Sequence, residues 1–474
     1  MGGEGVGTFQ EDTVRIVIVG GGASGIGATG AAEQTNPDAE VVMFTAFEDV
    51  AYSPCGIPYV HGRDIDSFDA LFLQTKQFYL DRGITIHYET MVTAVDLDRQ
   101  QVTIQNGQTH GFDRLVLCTG FDWVPPDVPG NQLDGLHYPK NIRKSMEFDK
   151  ILDDAKTAVV IGATPLGTEM AGGLAKRGLK THLIDPHSWI LSSIADPDIV
   201  EMVEESLEEL GVTLHPGTQL EAFLGDESVT GVRTSEGEIS ADVVVVCDKR
   251  RPNTRLARDA GLEIGSTGGL VVDARLRTSS PVVYAAGDII EIPHELHNIP
   301  IQGLTGSHSY AEGKVAGTNA AGGDRRYQPV SVPWGLVAGK WSVGGAGFGE
   351  NLADALGIPY VMGVGQGISR ARYYPGFKPV KVKLLADPDT HALVGAQMVG
   401  GEGIKERADF LGMAIRKRIT IEDLATMENV YAPPIGAVME PIAICAQNLL
   451  ADLGRRAKAS VSEPVGGDRR AAGS

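Results

Sequence analysis

Of the four cysteines in this chain, Cys55 has the neighbours that suit a reactive thiol. It stands in Tyr52-Ser53-Pro54-Cys55-Gly56-Ile57-Pro58-Tyr59, where Pro and Gly favour an exposed turn that leads into a helix. The positive end of a helix dipole there favours the thiolate, the form of cysteine that attacks another sulfur. Cys118, in Leu115-Val116-Leu117-Cys118-Thr119-Gly120, and Cys247, after Val243 to Val246, end apolar strands, and Cys445 falls on the apolar face of a late helix. All three read as packing. None of the four forms a CxxC pair, so no metal site is expected and any sulfur chemistry must use one cysteine at a time.

The elements around Cys55 point to a nucleotide. A β-branched run, Val14 to Val19, ends at Gly20-Gly21-Gly22-Ala23-Ser24-Gly25 and passes into small residues suited to a closely packed helix. In this GxGxxG spacing Gly20 permits the tight turn, Gly22 lets backbone approach a pyrophosphate, and Gly25 lets helix and strand pack closely. A second strand, Glu40 to Phe44, follows the turn signal Asn36-Pro37-Asp38, which completes one βαβ unit. The acid expected at its end, to hold ribose hydroxyls, is replaced by Thr45, with Glu48 three residues further on.

The pattern recurs. Ala158 to Ile161 meets Gly162-Ala163-Thr164-Pro165-Leu166-Gly167, a helix ends near Gly178, and a strand from Lys180 to Ile184 finishes in Asp185. Thr164 stands where the middle glycine allows closest approach to phosphate. Asp185 is placed for a ribose 2′-hydroxyl and repels a 2′-phosphate, and no Arg or Lys follows in Pro186-His187-Ser188-Trp189, so NADH is favoured over NADPH.

From Ser331 strand-like runs, Val380 to Leu385 and Leu393 to Val399, precede an apolar-periodic helix around Lys405 to Lys417, the pattern of a third, α+β domain. The first dozen residues and the stretch from Arg455 to Ser474 are polar and aperiodic, and are expected to be unstructured. With 41 Lys and Arg against 61 Asp and Glu, the net charge of -20 repels polyanions, so neither nucleic acid nor an anionic membrane is expected as partner. No apolar run reaches membrane-spanning length, and Met1 to Thr13 lack the features of a secretory signal; a soluble cytoplasmic protein is expected.

These motifs, in the order GGGASG, SPCGIPY, Thr119-Gly120, the second glycine turn, Arg251-Pro252-Asn253-Thr254, Tyr284-Ala285-Ala286-Gly287-Asp288 and Tyr431-Ala432-Pro433-Pro434, resemble one family. It is the single-cysteine branch of the flavin-dependent pyridine nucleotide-disulfide oxidoreductases, over roughly residues 14 to 452. That branch holds coenzyme A-disulfide reductases, sulfur and persulfide reductases, and NADH oxidases; the Pro-Cys-Gly-Ile-Pro-Tyr segment is most similar to the first two. The resemblance implies an α/β chain with two Rossmann-like FAD- and NAD(P)-binding domains and a C-terminal α+β dimerisation domain. It places FAD at residues 13–125 and 255–327, NAD(H) at 126–254 and the dimer contacts at 328–452, between tails 1–12 and 453–474. Ser53, Thr119, Gly120, Gly287 and Asp288 join the first glycine turn in holding FAD, with Asp288 on the ribityl chain.

The resemblance also implies that hydride passes from NADH to the flavin, which then reduces a mixed disulfide on Cys55. Relatives with a cysteine pair carry a His-Pro where this chain has Tyr431. That tyrosine is implied to reach the active site of the other subunit of a homodimer, joined by Tyr373 or Tyr374, and a neutral phenol can give a proton to a leaving thiolate. The departures gather around coenzyme A: Ala31-Ala32-Glu33-Gln34 replaces a basic stretch and Met439 a lysine, which leaves Arg82, with Gln34, as candidate substrate contacts. The expected substrate is a low-molecular-weight disulfide or persulfide, coenzyme A disulfide or a smaller and more neutral one. Two alternatives stay open: an NADH oxidase or peroxidase in which Cys55 cycles through a sulfenic acid, and a non-catalytic flavoprotein used for sensing or binding.

Overall fold

A run of β-branched residues buried on both faces belongs inside a parallel sheet, and Ile16 to Val19 lie there. The computed structural model, which describes residues 13–462, orders that sheet as Val283–Ala285, Arg114–Leu117, Arg15–Val19, Glu40–Phe44 and Thr85–His87, every pair parallel. The helix Ala23–Thr35 packs on the helix Gly306–Ala320 at backbone distance. A Cβ on Gly313 would stand 2.0 Å from the Ser24 carbonyl oxygen, and one on Gly317 would stand 2.1 Å from that of Ala28. Small residues in both helices are what this approach requires.

These elements lie in one of two compact units, formed by the residues up to Lys156 with Ala222–Gly231 and Ser240–Val330. The same unit holds the antiparallel strands Val92–Asp96, Gln101–Ile104 and Thr109–Gly111, and the pair Phe121–Val124 with Lys249–Pro252.

The other unit takes Thr157–Glu221, Val232–Ile239 and the residues from Ser331 onward. Its parallel strands Thr157–Ile161, Lys180–Asp185 and Val212–Pro216 are accompanied by the helices Pro165–Lys176 and Pro197–Leu210, the second βαβ pattern read above. Its antiparallel sheet runs Trp334–Ala338, Trp341–Gly347, Leu393–Gly400, Pro379–Ala386, Val361–Ile368. The helix Ile404–Arg416 lies on that sheet, as does the helix Pro441–Ser462, which approaches so closely that a Cβ on Gly365 would stand 2.6 Å from the Cys445 Cα. The architecture is therefore the expected one of two nucleotide-binding patterns and a C-terminal α+β domain.

One expectation is corrected. The chain does not lose structure at Arg455, because the helix Pro441–Ser462 takes in residues 455–462. Arg455-Arg456-Ala457-Lys458-Ala459 lacks an apolar stripe but consists of strong helix formers, which extend a helix already anchored by buried Ile442, Cys445 and Leu449. The remaining tail residues, 1–12 and 463–474, lie outside the described residues. Among the described residues no helix is long and apolar enough to cross a membrane.

Candidate active site

The first glycine turn forms as its spacing demands. Gly20 adopts φ +111°, and its N–H donates to the Phe44 carbonyl at 2.8 Å. A Cβ there would meet the Cys118 carbonyl oxygen at 2.1 Å, and one on Gly25 would meet the Gly20 oxygen at 1.9 Å. Gly22 is different, because nothing lies within 4 Å of where its Cβ would be. It precedes the helix Ala23–Thr35 with no side-chain cap, which leaves the opening N–H groups, from Ala23 and Ser24 onward, to an anion such as a pyrophosphate.

The Tyr284 to Asp288 segment is brought to the same turn. A Cβ on Gly287 would stand 2.6 Å from Ser24 Oγ, and the Gly287 N–H donates to Glu312 Oε2 at 2.9 Å. Burial pushes the Glu312 carboxyl up to about 7 and raises that of Asp288 as well. Asp288 Oδ1 is buried without a hydrogen-bond partner. A buried acceptor calls for a donor, and the hydroxylated ribityl chain of FAD supplies donors; with the open space at Gly22, these residues fit FAD. Thr119 Oγ1 donates to the Asn253 carbonyl and the Asn253 N–H to the Gly120 carbonyl, each at 2.8 Å, so two further motifs meet although 134 residues separate them. Thr45 is buried, its hydroxyl accepting from the Phe47 N–H at 3.3 Å, and Glu48 is held by Arg143, with Nε 2.5 Å from its carboxylate.

Cys55 lies in the 3-10 turn Pro54–Gly56, introduced by Ser53, whose N–H donates to the Leu71 carbonyl at 2.9 Å. The helix that follows, Ile57–His61, has five residues, so its dipole is small. Exposure distinguishes this sulfur more sharply: Cys55 is exposed, and the other three cysteines are buried. Burial pushes the Cys118 and Cys445 thiols up to about 12 and raises that of Cys247 too.

In the second turn Gly162, at φ +94°, donates its N–H to the Ile184 carbonyl at 2.8 Å. Thr164 caps the helix Pro165–Lys176, its hydroxyl accepting from the Gly167 N–H at 3.3 Å, with Pro165 and Leu166 in the first turn. A side-chain oxygen thus takes an N–H that a glycine would leave to phosphate. Asp185, buried at the strand end, accepts from the Ala163 N–H at 2.6 Å and the His187 N–H at 2.9 Å, and lies 2.7 Å from His187 Nδ1.

The two candidate tyrosines have different partners. The phenol of Tyr373 meets that of Tyr431, whereas Tyr374 has the Arg370 guanidinium over its ring at 5.9 Å. The hydrogen bond to Tyr431 raises the pKa of Tyr373. Val430, Ile435, Val438 and Met439 are exposed around Tyr431. Of the two candidate substrate contacts, Arg82 pairs with Glu33 at 2.6 Å and Gln34 is exposed. Three interactions in the cysteine segment escaped the sequence reading: Arg143 with Asp49, Tyr52 with the Lys140 carbonyl, and His61 with Asp149. Partners 88 to 94 residues apart leave no local signal.

Comparison with known proteins bears on the same residues. Residues 14–303 match the pyridine nucleotide-disulphide oxidoreductase family, and residues 335–441 match the dimerisation domain of that family. The chain is 34% identical over 450 residues to an NADH oxidase of Methanocaldococcus jannaschii, covering 94% of this chain and 100% of that protein. It is 31% identical over 444 residues to an NAD(P)H sulfur oxidoreductase (CoA-dependent) of Pyrococcus furiosus, covering 92% of this chain and 99% of that protein. A solved NAD-dependent persulfide reductase from A. fulgidus superposes with a TM-score of 0.90 at 29% identity, over 94% of this chain and 84% of that one. The chain belongs to the pyridine nucleotide-disulphide oxidoreductase family, whose members bind FAD and NAD(H).

Proposed function

We propose that this enzyme is an NADH-dependent reductase of a low-molecular-weight disulfide or persulfide, acting in the cytoplasm as a homodimer through Cys55. The observation that carries the reading is the exposure of Cys55 just beyond the first nucleotide unit, while Cys118, Cys247 and Cys445 are buried as poorly ionising thiols. In this reading residues 13–125 and 255–327 hold FAD, 126–254 hold NADH, and 328–452 make the dimer. Gly20, Gly22, Ala23, Ser24 and Gly25 cradle the FAD pyrophosphate, and Asp288 takes the ribityl hydroxyls. Gly162, Thr164 and Gly167 approach the NADH pyrophosphate, with Asp185 at its ribose.

The Cys55 thiolate attacks one sulfur of the substrate. A bond from Cys55 Sγ forms as the substrate S–S bond breaks, and the departing sulfur leaves as a thiolate. The phenol pair Tyr373 and Tyr431, reaching in from the other subunit, gives that thiolate a proton. FAD, when bound, supplies the two-electron chemistry that links NADH to the sulfur. Because the Arg82 charge is already met by Glu33, a phosphate-rich substrate gains little there, and smaller acceptors are favoured over coenzyme A disulfide.

The test is anaerobic NADH oxidation with coenzyme A disulfide, bis(2-hydroxyethyl) disulfide and polysulfide as separate acceptors, counting the thiols released. Two thiols per NADH from either disulfide are expected, with loss of turnover in Cys55→Ser. Persistent turnover in that variant overturns the reading. A second reading, an NADH oxidase, is favoured by the 34% identity to the Methanocaldococcus jannaschii protein. Oxygen sustaining faster NADH consumption than any sulfur acceptor would select it.

A further inference from the structure

We infer that the helix Ile142–Ile151 is a clamp that sets the position and reactivity of Cys55, with Arg143 and Asp149 as its positioning residues. The inference rests on the reading of Cys55 as the reacting sulfur. Two non-glycine residues flank the cysteine segment in the left-handed region, Ala51 at φ +55° and Arg63 at φ +63°. Each such conformation is strained for a residue with a Cβ, and it persists only where its surroundings enforce it.

Here the enforcement comes at both ends from one stretch of chain. Ahead of Ala51, Arg143 donates through Nε and Nη2 to the two carboxylate oxygens of buried Asp49, at 2.5 and 2.9 Å. Just after Ala51, the Tyr52 hydroxyl donates to the Lys140 carbonyl at 3.3 Å. Beyond Cys55, His61 Nδ1 lies 2.9 Å from Asp149 Oδ1, and Arg63 Nη1 donates to Asp149 Oδ2 at 3.0 Å. Between these anchors Ile142 and Met146 pack in the cluster of Ile57, Val60 and Leu71.

Apolar packing in the middle would be enough to hold the helix on the segment. The anchors add direction: a forked guanidinium-carboxylate pair and a carboxylate shared by His61 and Arg63 fix angles that apolar contacts leave free. The exposed sulfur therefore sits on a segment strained at two points and fastened beside each.

The experiment uses the FAD-loaded dimer carrying Asp149→Asn or Arg143→Gln. The pH dependence of iodoacetamide alkylation reports Cys55, because the other cysteines are buried. Each variant is expected to slow alkylation at least fivefold or to move its midpoint by half a pH unit. Turnover number should fall about tenfold with the KM for NADH unchanged, and Asp149→Glu and Arg143→Lys should recover part of the loss. Unchanged alkylation and turnover in both variants, with only the melting temperature lowered, would overturn the clamp. Should Asp149→Asn fail to fold, Arg63→Ala removes the exposed partner of the same carboxylate and carries the same expectation, at smaller size. Cys55→Ser separates the two ideas: turnover surviving in it defeats the reading of Cys55, whereas a dead Cys55→Ser beside normal clamp variants defeats the clamp alone.

Discussion

The phenol oxygens of Tyr373 and Tyr431 stand 2.5 Å apart and join segments 58 residues distant in sequence. One O–H is spent between the rings, which leaves a single phenolic proton free to be given away. The two tyrosines should therefore act as one device.

Tyr431→Phe is expected to lower disulfide turnover by about 10² or more, the usual contribution of a positioned general acid. Tyr373→Phe should lower it too, and the double variant should be little worse than Tyr431→Phe, because groups that act as a unit do not add. Steady-state turnover of the three variants decides this. A loss under about threefold in Tyr431→Phe would reduce the pair to packing at the dimer face.

Labelling provides a second check. Limiting iodoacetamide at neutral pH should modify Cys55 and leave Cys118, Cys247 and Cys445 untouched, since burial keeps those three thiols protonated. Peptide mapping reads the outcome. Labelling spread evenly over the four would mean that exposure does not single out Cys55.

What could be read from residues alone follows from how local each constraint is. Gly20 and Gly25 were legible because a Cβ at either would collide with nearby backbone, a restriction that acts on the residue itself. Thr164 is legible as a departure from the middle glycine, and Thr-Pro ahead of a helix is also a cap signal; the structure forms that cap. The pairing of Arg82 with Glu33, and of Arg143 with Asp49, could not be read, because ion pairs across long stretches of chain have no periodicity or motif.

The cap leads to a third prediction. Thr164→Gly frees the Gly167 N–H and removes a Cβ from the turn, while a glycine cap costs only a few tenths of a kcal/mol relative to threonine. The KM for NADH should fall by about threefold with turnover number little changed. An unchanged KM would show that the coenzyme phosphates do not approach this turn.

Glu312 links stability to pH. Its carboxyl is pushed by burial from an ordinary 4.5 up to about 7, so between those values the folded chain binds a proton that the unfolded chain has lost. The stabilisation is full below about pH 4.5 and is lost as pH rises through about 7. At roughly 1.4 kcal/mol per pKa unit the loss is on the order of 3 kcal/mol. Glu312→Gln should flatten this dependence, so that its melting temperature gains on the wild type from pH 5 to pH 8. Parallel curves would mean that Glu312 ionises freely in the folded protein.

Lys383 is 2% exposed, and its ammonium lies 3.1 Å from Asp196 and 2.5 Å from Asp198, with Glu350 also in contact. These three acids are grouped closely enough to ligate a metal ion, and Lys383 supplies the buried positive charge among them, with Lys381 at the Asp198 side. Asp196 is further committed, accepting from the Glu350 N–H at 3.1 Å while its own N–H donates to Gln397 at 2.8 Å. Lys383→Met removes the buried cation and leaves Asp196 and Glu350 facing Asp198 with Lys381, 3.5 Å from Asp198, as the remaining positive charge beside them. Breaking a buried pair in this way typically costs about 3–5 kcal/mol, far more than the pair itself contributes. Urea unfolding should show a loss of that size, and Lys383→Arg, which keeps the charge, should show a smaller one. A loss below about 1 kcal/mol in Lys383→Met would mean that solvent or protonation of the acids replaces the ammonium at little cost, and the cluster would then be a tolerated burial of charge.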